Sequence, residues 1–162
     1  MKHKIPESVL VVIHTADLQV LLLERADKPG FWQSVTGSKD SLDEPVRLTA
    51  QREAFEETGF CVGNVGTALA PYVLPDASLQ DWALRNIYEI YPMWQHRYAP
   101  GVTQNTEHVF GLLLPSTIAP ILAPREHVQY RWLDYKAAAD LCFSPSNAEA
   151  VLQIPVRMQL LG

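Results

Sequence analysis

Residues 52–60 read REAFEETGF, and this run restricts the fold more than any other part of the chain. In an α-helix Glu53, Glu56 and Glu57 are related by spacings of three and four, so their carboxylates share one face. Like charges at that spacing repel, so the face must lie in water or against something doubly positive. The segment predicts a helix over about 45–58, in which Val46, Ala50, Ala54 and Phe55 form an apolar stripe opposite the glutamates. Gly59 is placed to end it. Upstream, Ser41 and Glu44 stand at capping-box spacing, and Pro45 suits a first helical position.

Most of the remaining chain reads as strand. The runs SVLVVIH (8–14) and LQVLLLE (18–24) are joined by the polar turn Thr15, Ala16 and Asp17, which suggests a hairpin. FWQSVTG (31–37) is a short strand ending in glycine, and strands are expected within 60–74, 84–94, 106–115 and 128–134. HRYAPGVTQN (96–105) is too rich in turn formers for either element. YKAAADLC (135–142) and the segment from Ser146, where SNAE repeats the capping-box spacing, predict C-terminal helices, and Pro155 should kink or stop the last one. Strands with a central helix and a helical tail imply a mixed sheet flanked by helices.

The chain of 162 residues suits one domain over 1–162, with an ordinary globular balance of 48% hydrophobic and 19% charged residues. A formal charge of −5 and the lack of any Lys or Arg run argue against a nucleic-acid partner, whereas a small charged substrate held through a metal stays open. The apolar run near the start is too short for a signal sequence, and no stretch reaches the length of a membrane span. Cys61 and Cys142, without a C-x-x-C pair, fit a reducing cytoplasm and read as buried small hydrophobes.

The stretch GSKDSLDEPVRLTAQREAFEETGF (37–60) resembles the signature of the Nudix hydrolases. That pattern is a glycine, five residues, a glutamate, seven residues, then R-E-U-x-E-E-x-G-U with U apolar. Glu44, Arg52, Glu53, Ala54, Glu56, Glu57, Gly59 and Phe60 match. Gly37 departs, because six residues separate it from Glu44, and the expected effect is on loop geometry alone. FWQSVTGS (31–38) and HRYAPGVTQNTE (96–107) are similar to the dihydroneopterin triphosphate diphosphatase branch of that family, and FSPSNAEA (143–150) more loosely so. The resemblance implies a Nudix α/β/α sandwich with a mixed sheet. It also implies magnesium-dependent hydrolysis of 7,8-dihydroneopterin triphosphate to the monophosphate and pyrophosphate, a step of bacterial folate biosynthesis. A general pyrophosphohydrolase of deoxynucleoside triphosphates such as dATP is the alternative. A catalytically silent nucleotide-binding module is a second, against which the intact glutamate triplet speaks.

A polyphosphate resists attack until its charge is neutralised, and magnesium is a hard cation that takes oxygen ligands. By resemblance the metal ligands are Glu53, Glu56 and Glu57, with the Gly37 carbonyl and Glu126 as further candidates and manganese as an alternative ion. Arg52 is expected to pair with a carboxylate, Glu44 foremost, and to orient it. Both Glu53 and Glu126 are candidates for the base that deprotonates the attacking water. Glu126 also reads as a surface loop acid, and His127 beside it reads the same way. His96 and His108 lack zinc-ligand spacing. Arg25 and Arg97 are candidates for phosphate binding, and Trp32, Trp94 and Tyr98 for stacking on a flat ring, with surface and core positions as the competing readings. Asn147 suits either a hydrogen bond to the ring edge or a helix cap. Oligomeric state is not legible.

Overall fold

The computed structural model describes residues 2–63 and 69–161. Its elements in chain order are β1 (Glu7–Thr15), β2 (Gln19–Arg25), β3 (Trp32–Gln33), β4 (Val35–Ser38), α1 (Val46–Thr58), β5 (Cys61–Val62), β6 (Val73–Leu74), β7 (Leu79–Glu89), β8 (Gln104–Leu114), β9 (His127–Asp134), α2 (Tyr135–Leu141), α3 (Pro145–Leu152) and α4 (Ile154–Leu161). The expected hairpin forms, with the Leu18 N–H donating to Thr15 O at 3.1 Å and the Gln19 N–H to Thr15 Oγ1 at 3.1 Å. Its strands then part. The register holds at His14 opposite Val20, and beyond it the stretch 32–38 fills the gap. β3 pairs with β2 and β4 with β1, which splits the single strand expected at 31–37 around Ser34.

β8 runs parallel to β1 from Thr106 opposite Glu7 to Leu114 opposite Thr15, β7 lies antiparallel outside β8, and β9 lies antiparallel to β2. The sheet is therefore mixed, with helices on both faces. Strand alternation sorts the core into two layers. Val9, Val11, Ile13, Leu21 and Leu23 pack with Ala50 and Ala54 of α1, whereas Leu10, Val12, Val20 and Leu22 pack with Ala138, Ala150, Val151 and Ile154 of α2, α3 and α4. Burial on both faces explains the unbroken apolar runs 9–13 in β1 and 20–23 in β2.

Several local expectations change. No capping box forms at Ser41: Pro45 takes the N-cap without a side-chain bond, the Ser41 hydroxyl donates to Asp43, and the Glu44 carboxylate accepts from Asp40 N, Thr49 Oγ1 and Arg52. The second box is displaced, because α3 is capped by Ser144, whose Oγ accepts from Asn147 N at 3.4 Å. Glu53 and Glu57 are not opposite the apolar stripe but share the buried side of α1 with Ala50 and Ala54, while Phe55 is half-buried. Gly59 ends the helix as expected, at φ 78° with its N–H on Phe55 O. The strand expected across 60–74 is reduced to the two-residue pieces β5 and β6, and 64–68 lie outside the described residues. β7 stops at Glu89, and Pro92–Arg97 forms a 3-10 turn that Pro92 starts. Around Pro155 the helix breaks at Gln153, and the proline sits in the first turn of α4.

Candidate active site

Helix α1 meets β4 where Gly37 lies under the Glu53 side chain. A Cβ at Gly37 would stand 2.0 Å from Glu53 Cδ, so only a glycine lets that carboxylate fold over the strand. One turn on, Glu57 is 1% exposed, and its Oε1 has no hydrogen-bond partner among the described residues. His127 opens β9 with its Nε2 3.7 Å from Glu57 Oε1. Glu57, Glu126 and His127 each place one ligand atom within 4.8 Å of the others. Burial pushes the Glu53 carboxyl up and the Glu57 carboxyl well up, Glu57 further because the Glu53 carboxylate is beside it. Burial, then the charge of Arg25, pushes His127 down to about 4. A buried carboxylate oxygen without a donor, among other carboxylates, has the chemistry that a hard divalent cation satisfies, so these residues fit such a metal.

Arg52 holds the approach to this cluster. Its Nε and Nη2 take the two Glu44 oxygens at 3.1 and 3.0 Å, and Nη1 reaches Glu53 Oε1 at 2.9 Å. A further bond runs from Nη2 to Ser38 O at 3.0 Å, and Asp40 Oδ2 makes an ion pair with Nε at 3.2 Å, so one guanidinium ties residues 38–44 to the helix. The Arg52 hydrogen bond brings Glu44 down to about 2. Glu56 is exposed at the rim, 3.5 Å from Arg52 Nη1.

The carboxylates open into a cleft of about 1030 Å³ that Lys4, Arg25 and Arg97 also line. Asp27 gathers the two arginines: Arg25 grips it through Nε and Nη2 at 2.8 Å each, and Arg97 Nη2 stands 3.1 Å from Oδ2. The Arg25 bond draws Asp27 down to about 2. The Lys4 backbone N–H donates to Arg97 O at 2.8 Å, which fastens the residues before β1 beside the same group. Arg25 lies over the Trp94 ring at 4.5 Å, and Tyr91, Trp94 and Phe143 pack against one another along the wall. One cleft thus combines a buried acidic cluster with cations, the complement of a metal-bound polyphosphate.

A NUDIX domain model matches residues 4–154. The chain belongs to the Nudix family. It is 41% identical over 155 residues to the dihydroneopterin triphosphate diphosphatase of Escherichia coli K12, covering 95% of either chain. It is 38% identical over 152 residues to the protein of the same name from Haemophilus influenzae, covering 93% of this chain and 88% of that one. The solved E. coli dihydroneopterin triphosphate pyrophosphohydrolase superposes with a TM-score of 0.80 at 39% identity, covering 97% of this chain and 99% of that one.

In this Nudix chain the residues expected at the site separate into groups. Gly37, Arg52, Glu53 and Glu57 come together at the α1–β4 contact, with Glu126 beside Glu57, and Arg25, Arg97, Trp94 and Tyr98 line the cleft. Trp32 is corrected: its indole lies in the core layer under α2–α4, with Arg131 over it at 5.4 Å, and does not line the cleft. Period two along β3 turns Trp32 and Gln33 to opposite faces of the sheet, and it is Gln33 that lines the cleft. Asn147 does line the cleft, but its amide is engaged by Ser34, accepting from the backbone N at 2.8 Å and donating to Oγ at 2.9 Å. It therefore pins α3 at the β3–β4 break. Sequence reasoning read His127 as a surface residue, whereas it is buried, and passed over Lys4, Asn105 and Glu107. For the last two a signal exists, since polar Asn105 and Glu107 fall on the same side of β8 as apolar Val109.

Proposed function

We propose that this Nudix pyrophosphohydrolase cleaves 7,8-dihydroneopterin triphosphate to dihydroneopterin monophosphate and pyrophosphate, a cytoplasmic step of folate biosynthesis. The observation that carries this is one cleft where Glu53 and Glu57 stand with Lys4, Arg25 and Arg97, in a chain alike over nearly its whole length to proteins named for that reaction. Glu53, Glu57, Glu126 and the Gly37 carbonyl would hold magnesium, or manganese in its place, with Glu56 at the rim. A bound divalent ion neutralises phosphate charge and makes its coordinated water a better nucleophile. The other work falls to the chain. Arg25, Arg97 and Lys4 donate to phosphate oxygens and hold the triphosphate in line, Arg52 orients Glu53 and Glu44 without touching substrate, and Trp94 and Tyr98 face the ring. A water oxygen bonds to phosphorus, the bridging P–O bond breaks towards the leaving phosphate, and the water proton passes to Glu53 or Glu126. Label from isotopic water appearing in pyrophosphate would assign attack to the β-phosphorus, and label in the monophosphate to the α-phosphorus.

The substrate is small, and among the described residues no helix is long and apolar enough to cross a membrane. The test is kcat/KM for dihydroneopterin triphosphate against dATP at equal magnesium. Preference for the pterin is expected. Preference for dATP would replace this reading with a nucleotide pyrophosphohydrolase, and no pyrophosphate from either would leave a binding module.

A further inference from the structure

The floor of the cleft holds a polar group that the phosphate chemistry does not use. Ser38 of β4, Ser8 of β1, Glu107 of β8 and Asn86 of β7 stand side by side across four strands, so they share one face, the face that carries Leu10 and Val109 further along. Glu107 is 4% exposed and lines the cleft, its Oε1 accepting from Asn86 Nδ2 at 3.4 Å and Ser146 Oγ at 3.1 Å. Asn105, one pleat along the same face and also lining the cleft, spends its Nδ2 on Ser8 Oγ at 2.8 Å and Tyr88 OH at 3.1 Å. Its Oδ1 is buried without a partner among the described residues. A carboxylate and an orphaned amide oxygen therefore sit together, an arrangement that asks for N–H donors from outside the protein.

We propose that Glu107, assisted by Asn105, reads the ring of the substrate by accepting from the ring N–H and exocyclic amino group of its 2-amino-4-oxopyrimidine edge. This rests on the pterin reading of the same site. A carboxylate offers two acceptor oxygens in a plane, which matches adjacent N–H and amino donors, whereas the adenine edge sets an acceptor nitrogen beside its amino group. Glu107 and the acidic cluster line one cleft, Glu107 from the face of the sheet that carries Leu10 and Glu53 from the face that carries α1. Burial pushes the Glu107 carboxyl up, so donors arriving from a ligand would offset the cost of its charge. Because Ser146 is bound to Glu107, the same contact sets the start of α3 against the ring.

The experiment compares Glu107→Gln with wild type on dihydroneopterin triphosphate and dATP. The ratio of kcat/KM for the pterin to that for dATP should fall about 30-fold or more, with an unfolding temperature near that of wild type as the check on folding. Glu107→Asp, which keeps the acceptor pair, should recover part of the ratio. An unchanged ratio, whether both substrates suffer or neither does, overturns the assignment. If wild type releases no pyrophosphate from dihydroneopterin triphosphate, the proposed reaction fails by itself, and titration with neopterin, read by its fluorescence, decides the Glu107 role. Weaker binding by Glu107→Gln sustains it, and equal binding or none overturns it.

Discussion

Glycine at position 37 and glutamate at 53 occupy one space, and each explains the other. A methyl group on Gly37 would lie 2.0 Å from Glu53 Cδ and 2.3 Å from both carboxylate oxygens, so Gly37→Ala must swing the carboxylate away. We expect pyrophosphate release to fall ~100-fold while stability changes by about 1–3 kcal/mol, measured by a coupled phosphate assay and urea unfolding. Glu57→Gln separates function from stability in the opposite sense. Glu57 is buried, with one oxygen that no donor among the described residues reaches, so its charge is costly in the metal-free protein. The amide should leave the unfolding temperature in chelator unchanged or higher, yet reduce pyrophosphate release by ~100-fold or more. A large drop in unfolding temperature would contradict this account. The three-and-four spacing of the glutamates was legible as one helical face, but not that two of them point inward, because that depends on a strand with no side chain at Gly37.

Among elements, two ties hold the walls of the cleft. Asn147 joins α3 to the break between β3 and β4 through two buried bonds to Ser34, at 2.8 and 2.9 Å. Asn147→Ala should cost about 2–3 kcal/mol in urea unfolding, because it leaves the Ser34 N–H unpaired. Were Asn147 solely a ligand to the ring, KM would rise with stability intact. The second tie is ionic. Asp27 and Glu44 are each held at about 2 by hydrogen bonds from arginine. A carboxylate with a depressed folded value stabilises the fold fully above its unfolded value of ~4, and that contribution is lost as pH falls towards 2. The urea midpoint should drop between pH ~4 and 2, and the drop should shrink in Asp27→Asn. Helix α1 and its glycine stop were readable from period and composition. The capping boxes were not, since Glu44 answers Arg52 and Ser146 answers Glu107, partners supplied by distant parts of the chain.

For the whole molecule, the proposed reaction needs a divalent cation at the acidic cluster. Chelation should abolish pyrophosphate release, and magnesium at a hundred times its dissociation constant should raise stability by about 2.7 kcal/mol, read as a shift in unfolding temperature that Glu57→Gln loses. The local pattern of the chain determined the helix, most strands of the central sheet and the mixed α/β class, because period and residue type act over a few neighbours, while the chemistry expected of residues 37–60 came from their resemblance to the Nudix signature. Tertiary structure alone decided the rest. The parting of β1 and β2 sends Trp32 to the core, register across β4, β1, β8 and β7 assembles Ser38, Ser8, Glu107 and Asn86, and chain packing brings His127 to Glu57. Those neighbours lie far apart along the chain. No local pattern encodes the pairing, which arises only when both faces of the sheet are buried at once.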